Sequence, residues 1–272
     1  MTSNTAEQDA AVADKAILAN SAYADGRHLA ARQSIYRWQQ PRYDLPGLIV
    51  EELADTSGTV IDIGCGNGKF VSRLHRDRPD LGVVGMDISA GILAELPKPV
   101  LAADAQALPF ADESADALLA LHMLYHVGDI EATIKELARV LRPGGVLIAS
   151  TNSETDKQEL DRLWSRAAGD VLGLPEGPAR VSLSSRFSLE NAPGYLGAVF
   201  EDIRVRELPG IIAVTDPAPV VAHLASYEAW ADQCGVPFHE TVSRAAEIVA
   251  AVIATEGAFE ITCRGGILIC RR

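Results

Sequence analysis

The run Val60-Ile61-Asp62-Ile63-Gly64-Cys65-Gly66-Asn67-Gly68-Lys69-Phe70 sets an apolar, strand-like segment against three alternating glycines and then a helical segment. Glycine bares the backbone and takes conformations closed to other residues, so a ligand can lie against main-chain N–H groups at a helix start. The spacing is G-x-G-x-G, not the G-x-G-x-x-G of dinucleotide-binding folds. Asp62 stands just ahead of the loop, where a carboxylate repels a pyrophosphate and holds a cationic group. Further on, Val83-Val84-Gly85-Met86 ends in Asp87, placed to accept from both hydroxyls of a ribose. A third apolar run leads into Ala103-Asp104-Ala105, where Asp104 can accept from an exocyclic adenine amine and Ala105 can offer its N–H. A single such acid is most often a turn or cap residue. Three of them at the carboxyl ends of three successive strands mark the edge at which open α/β sheets bind ligands.

A second group of candidates closes the fourth apolar run, Leu121-His122-Met123-Leu124-Tyr125-His126-Val127. His122 directly follows the strand and can orient or deprotonate a hydroxyl or amine. His126 is a second catalytic candidate, with a packing role as its rival. A His-x-x-x-His pair on a helix could hold zinc, but no companion Glu or third ligand lies near it, so no metal is expected. Tyr23, Tyr36 and Trp38 sit in an N-terminal segment rich in aromatic and basic residues and could pack on a flat or cationic ligand. Trp164 and Trp230 are candidate substrate contacts in the C-terminal half, with Arg186, Phe187, Tyr227, Phe238 and His239 beside them in the sequence pattern.

Asp62 to Gly68, Met86-Asp87-Ile88-Ser89, Ala103-Asp104-Ala105 and Leu141-Arg142-Pro143-Gly144-Gly145 together resemble the ordered motifs of class I S-adenosylmethionine-dependent methyltransferases. The likeness is to the small-molecule group related to the ubiquinone-biosynthesis (type 11) enzymes, and it spans about residues 59–151. It implies a Rossmann-like methyltransferase fold: a doubly wound, mostly parallel seven-stranded sheet whose last hairpin is antiparallel. It implies S-adenosylmethionine as cofactor and S-adenosylhomocysteine as product. Gly64, Cys65 and Gly66 would pass under the methionine part, Asp87 with Ile88 would hold the ribose, and Asp104 with Ala105 the adenine. Leu121 and His122 would lie beside the transferring methyl. Arg32 is the preferred partner for the methionine carboxylate, because a guanidinium offers a two-pronged fork.

The elements that must position these groups follow from the alternation of short apolar runs with helical stretches, which generates a parallel sheet with crossover helices. Strands are expected at 60–63, 82–86, 99–102, 117–121, 146–149, 203–207 and 259–269. Asp129 is placed to cap a helix whose apolar positions Ile130, Ile134, Leu137 and Leu141 recur at helical spacing. Residues 1–56 read as a helical lid and 57–272 as the core, with a cap insertion around 152–187 and cap helices around 216–257. The chain has 272 residues, 24 basic and 37 acidic, for a formal charge of −13. That excludes a nucleic-acid clamp as the first reading, since counterion release needs clustered Lys and Arg. Four scattered cysteines without a CxxC pair point to reduced thiols. With neither a signal-peptide pattern nor a long apolar run, a cytoplasmic protein without membrane partners is expected; the oligomeric state is open. The function expected is methylation of O, N or C on a small aromatic or natural-product intermediate. The alternatives are a non-catalytic cofactor-binding or regulatory protein and an NAD(P)-dependent oxidoreductase.

Overall fold

A computed structural model describes residues 2–272. Eight strands, β1 (Gln39–Gln40), β2 (Thr59–Ile63), β3 (Gly82–Asp87), β4 (Val100–Ala102), β5 (Ala115–Leu121), β6 (Leu141–Asn152), β7 (Asp202–Val214) and β8 (Phe259–Arg271), form one sheet in the order β1-β7-β8-β6-β5-β2-β3-β4. β4, β3, β2, β5 and β6 pair in parallel, and β8 inserts antiparallel between β6 and β7. The seven strands expected from the sequence are all present. The eighth, β1, is a correction: Gln39 and Gln40 pair antiparallel with Ile212 and Ile211 inside a segment expected to be helix and loop. Two residues are too few to show a period of two, so this pairing left no trace in the hydrophobic pattern.

Val60, Ile61, Asp62 and Ile63 are all buried, as a central parallel strand requires when helices cover both faces. The helix Ile130–Val140 starts where expected, with the Asp129 carboxylate accepting from the Ala132 N–H at 2.9 Å. The chain leaves β2 for one half of the sheet and returns through β5 for the other. The gap between those two strands is therefore the switch point at which such sheets open a ligand crevice.

The N-terminal segment and the helices of the C-terminal half pack on each other as well as on the sheet. Val12, Leu18, Ala22 and Ile35 share one buried cluster with Trp164, Trp230, Phe238 and Ile261. Within residues 152–187 a helix spans Gln158–Leu172, and Lys157 takes a left-handed backbone (φ 58°) just before it. Among the described residues no helix is long and apolar enough to cross a membrane.

Candidate functional site

β2 runs into a loop whose three glycines all have positive φ: Gly64 at 70°, Gly66 at 54° and Gly68 at 69°. A side chain is strained in that region, and space forbids it too: a Cβ on Gly66 would stand 2.8 Å from Leu29 Cδ2. Asp87, at the tip of β3, accepts from the Gly66 N–H through Oδ2 at 2.9 Å and from the Ser89 N–H through Oδ1 at 3.0 Å. The acid thus pins the loop to the neighbouring strand. Burial pushes its carboxyl upward, and these N–H donors partly oppose that rise.

A cleft of about 870 Å³ runs along this edge. From the β2 and β3 ends Gly64, Cys65, Gly66, Asp87 and Ile88 line it; from the β4 and β5 ends come Asp104, Ala105, Leu121 and His122. Arg32, Tyr23 and Tyr36 face it from the N-terminal segment. Four expected site residues do not line it. Trp164 and Trp230 are fully buried core, as their helical setting allowed. Trp38 is half-exposed outside the cleft wall. Asp62 lies behind the glycine loop, with both carboxylate oxygens buried and no donor reaching either. Burial, and then the field of Asp87, push Asp62 up to about 7.

The N-terminal segment packs over the Asp104 side of the cleft through specific contacts. Lys15 pairs with Asp104 at 2.5 Å, and the Tyr23 hydroxyl meets His126 Nε2 at 2.8 Å. His126 Nδ1 faces the Val12 carbonyl at 2.9 Å, so Nδ1 carries the proton and Nε2 accepts from Tyr23. Both ring nitrogens are committed, and burial first of all holds the imidazole down at about 3. That leaves no free ring nitrogen for the catalytic role expected of His126, whose contacts instead tie the N-terminal segment to the turn after β5. Arg32 is buried, donates through Nη1 to the Ser226 carbonyl at 2.8 Å, and leaves Nη2 without a partner. Its guanidinium lies 5.0 Å from the Tyr23 ring centre and 5.7 Å from that of Trp230.

His122 takes a left-handed backbone (φ 55°) directly after β5, held by its N–H to the Ser150 carbonyl at 3.0 Å. Burial, then the Lys157 charge, lower it to about 4, so its ring is neutral at physiological pH and weak as a base. Lys157 shares the cleft. Its ammonium donates to the Tyr36 hydroxyl at 2.7 Å and is paired with Asp156. Burial opposes this charge, but Asp156 and Tyr36 hold it well above the usual lysine range. Asp156, Lys157, Arg180 and His223 were not singled out from the sequence. A short polar stretch ahead of a helix carries no signal that its Lys turns inward. Arg186, by contrast, is spent on the carbonyls of Tyr125, Val127 and Gly128.

Residues 61–149 match the family described as a methyltransferase domain. A tRNA (carboxymethyluridine(34)-5-O)-methyltransferase of Arabidopsis thaliana is 34% identical over 151 residues, 50% of this chain and 36% of the relative. A malonyl-[acyl-carrier protein] O-methyltransferase of Coxiella burnetii is 30% identical over 129 residues, 43% of this chain and 46% of the relative. The chain spans less than half the length of these curated relatives. Among solved structures, Haemonchus contortus phosphoethanolamine N-methyltransferase 2, in complex with phosphomonomethylethanolamine and S-adenosylhomocysteine, has a TM-score of 0.56 at 16% identity. That likeness covers 94% of this chain and 59% of the other and is one of fold.

Proposed function

We propose that this chain, in which residues 61–149 are a methyltransferase domain of the class I, type 11 group, moves a methyl group from S-adenosylmethionine to a small organic acceptor enclosed in the cleft. The observation that carries the reading is the continuity of one cavity, from a loop of three positive-φ glycines tied to Asp87, past Leu121, to the neutral His122.

The buried groups left without partners suit such a cofactor. Arg32 Nη2 is a spare donor for a carboxylate, and the unpartnered Asp62, raised to about 7, would be drawn to its charged form beneath the loop by an ammonium or sulfonium. Asp87 has acceptor capacity beyond its two N–H donors for ribose hydroxyls, and Asp104 with Ala105 would hold the adenine. When bound, S-adenosylmethionine supplies a methyl group made electrophilic by a sulfonium. The protein's own part is alignment and exclusion of water, which can account for ~7–11 kcal/mol of a barrier. Tyr23, His126 and the segment around Val12 cover the cofactor end, and His122 offers a neutral ring to orient the acceptor.

A small acceptor, in natural-product tailoring or related metabolism, fits a cleft of this size better than a tRNA does. The chain's charge of −13 also argues against a polyanion as large as the one named for the Arabidopsis relative. Titration calorimetry with S-adenosylhomocysteine tests the reading. Wild type should bind one equivalent, and Asp87→Ala should bind at least ~10-fold more weakly, as expected when a buried acceptor is lost. No binding by the wild type overturns it, and binding without turnover on a broad acceptor panel would favour a regulatory protein instead.

A further inference from the structure

We propose that the acceptor end of the cleft is built for a carboxylate, so that the substrate is a small organic acid bound as its anion by Lys157 and Tyr36. This rests on the methyltransferase reading for what happens next, but not for the binding itself.

Three non-glycine residues among those described have positive φ, and two of them, His122 and Lys157, line this end of the cleft. Such a backbone is strained and is kept where the side chain must be aimed. For Lys157 the cost is compounded, because its ammonium is taken out of water, with a side chain only 5% exposed. The pair with Asp156 offsets that burial, and Asp156 is itself fixed by the Arg264 N–H at 2.7 Å. Of the three ammonium protons, one goes to Asp156 and one to the Tyr36 hydroxyl. The third is uncommitted, and so is the phenolic proton of Tyr36, because its oxygen accepts from Lys157. Two donors on adjacent side chains, one charged, are what an anionic oxygen requires.

The groups facing this pair suit an acceptor that arrives already ionised. His122 is a weak base, and Tyr36, although 37% exposed overall, keeps its proton to about 12 because its hydroxyl end is desolvated. Neither His122 nor Tyr36 is poised to deprotonate a phenol or an ammonium, whereas a carboxylate needs no base. The rim agrees. Arg37 and Arg42 line the cleft, are exposed, and make no ion pair among the described residues, so a chain with a large excess of acids turns unpaired cations toward this opening.

The test uses the full chain, with and without saturating S-adenosylhomocysteine, and four probes: benzoate, benzamide, hexanoate and hexanamide. Binding is read by calorimetry and by the shift in melting temperature at pH 7.5. The acids should bind and the amides should be ~10-fold weaker or worse, the discrimination expected of a charge-assisted pair. Tyr36→Phe should cut the preference for the acids several-fold, Lys157→Met should abolish it, and Lys157→Arg should restore part of it, with S-adenosylhomocysteine affinity unchanged in Tyr36→Phe. Because Lys157→Met strands Asp156 and can unfold the cap, Tyr36→Phe is the deciding variant. Amides binding as well as acids, no acid binding to the wild type, or a full preference surviving in Tyr36→Phe would overturn the proposal. Failure of S-adenosylhomocysteine alone to bind, with the preference for acids intact, would sink the methyl-transfer reading and leave the carboxylate subsite standing.

Discussion

Replacing Asp62 with Asn should make the protein more stable, and by an amount that depends on pH in a calculable way. Asp62 is 1% exposed, neither oxygen has a donor, and its carboxyl is raised from 3.8 to about 7 by burial first and Asp87 second. A raised acid prefers its neutral form when folded. Its contribution is most favourable below the unfolded value near 3.8 and is lost as pH rises toward 7. Above that the penalty levels off at about 3 pH units, or about 4 kcal/mol at ~1.36 kcal/mol per unit. At pH 5 the same linkage leaves a penalty of only about 2 kcal/mol. Asn keeps the shape and carries no charge, so the measurement is urea unfolding of ligand-free wild type and Asp62→Asn at pH 5 and pH 8. The variant should gain several kcal/mol at pH 8, and the gain should shrink by about half at pH 5. The buried histidines titrate alike in both proteins and cancel in the difference. A variant less stable than wild type at pH 8, or a gain that does not change with pH, would refute the claim that an unpaired carboxylate sits beneath the glycine loop.

Nitrogen-15 spectra of the imidazoles should show His122 and His126 neutral throughout pH 5 to 9, since burial lowers them to about 4 and about 3; an imidazole in either position titrating above 6 would contradict the description. Because these depressed values favour the neutral rings, the two histidines support folding above their unfolded value and withdraw that support as pH falls toward the folded ones. Lys15→Ala frees Asp104 from an exposed ion pair worth about 0–1 kcal/mol, so S-adenosylhomocysteine affinity measured by calorimetry should rise by no more than ~5-fold and the gain should fade in high salt. Gly91→Ala would drive a Cβ into the Ala24 carbonyl, so the segment before it should lift. Limited trypsin digestion after Lys15 or Arg27 should accelerate in that variant, and equal rates would show that the segment is not packed there.

The sheet was legible because its parallel strands are buried on both faces and read as short continuous apolar runs: Val60 to Ile63 and Ala117 to Leu121 need no partner to be recognised. The glycine loop was legible because φ above zero restricts residue choice. β1 was not, since two residues paired on an edge carry no periodicity. The tryptophans misled for a related reason. Trp164 and Trp230 have the composition of a binding pocket, yet sit at core-facing positions between cap helices that sequence alone does not orient. Lys157 and Arg180 were invisible because lysines and arginines are rarely buried, and only tertiary packing shows which ones are. Asp62 was found, but its place behind the loop rather than in the cleft wall depends on the direction in which one strand residue points.

A crystal structure with S-adenosylhomocysteine is the most direct test of cofactor binding in this cleft. The ribose hydroxyls should lie on Asp87, the amino-acid tail across Gly64 and Gly66 with its carboxylate near Arg32, and the sulfur facing His122 across the acceptor end of the cleft. A cofactor seated elsewhere, or seated with its sulfur turned away from His122, would contradict this placement.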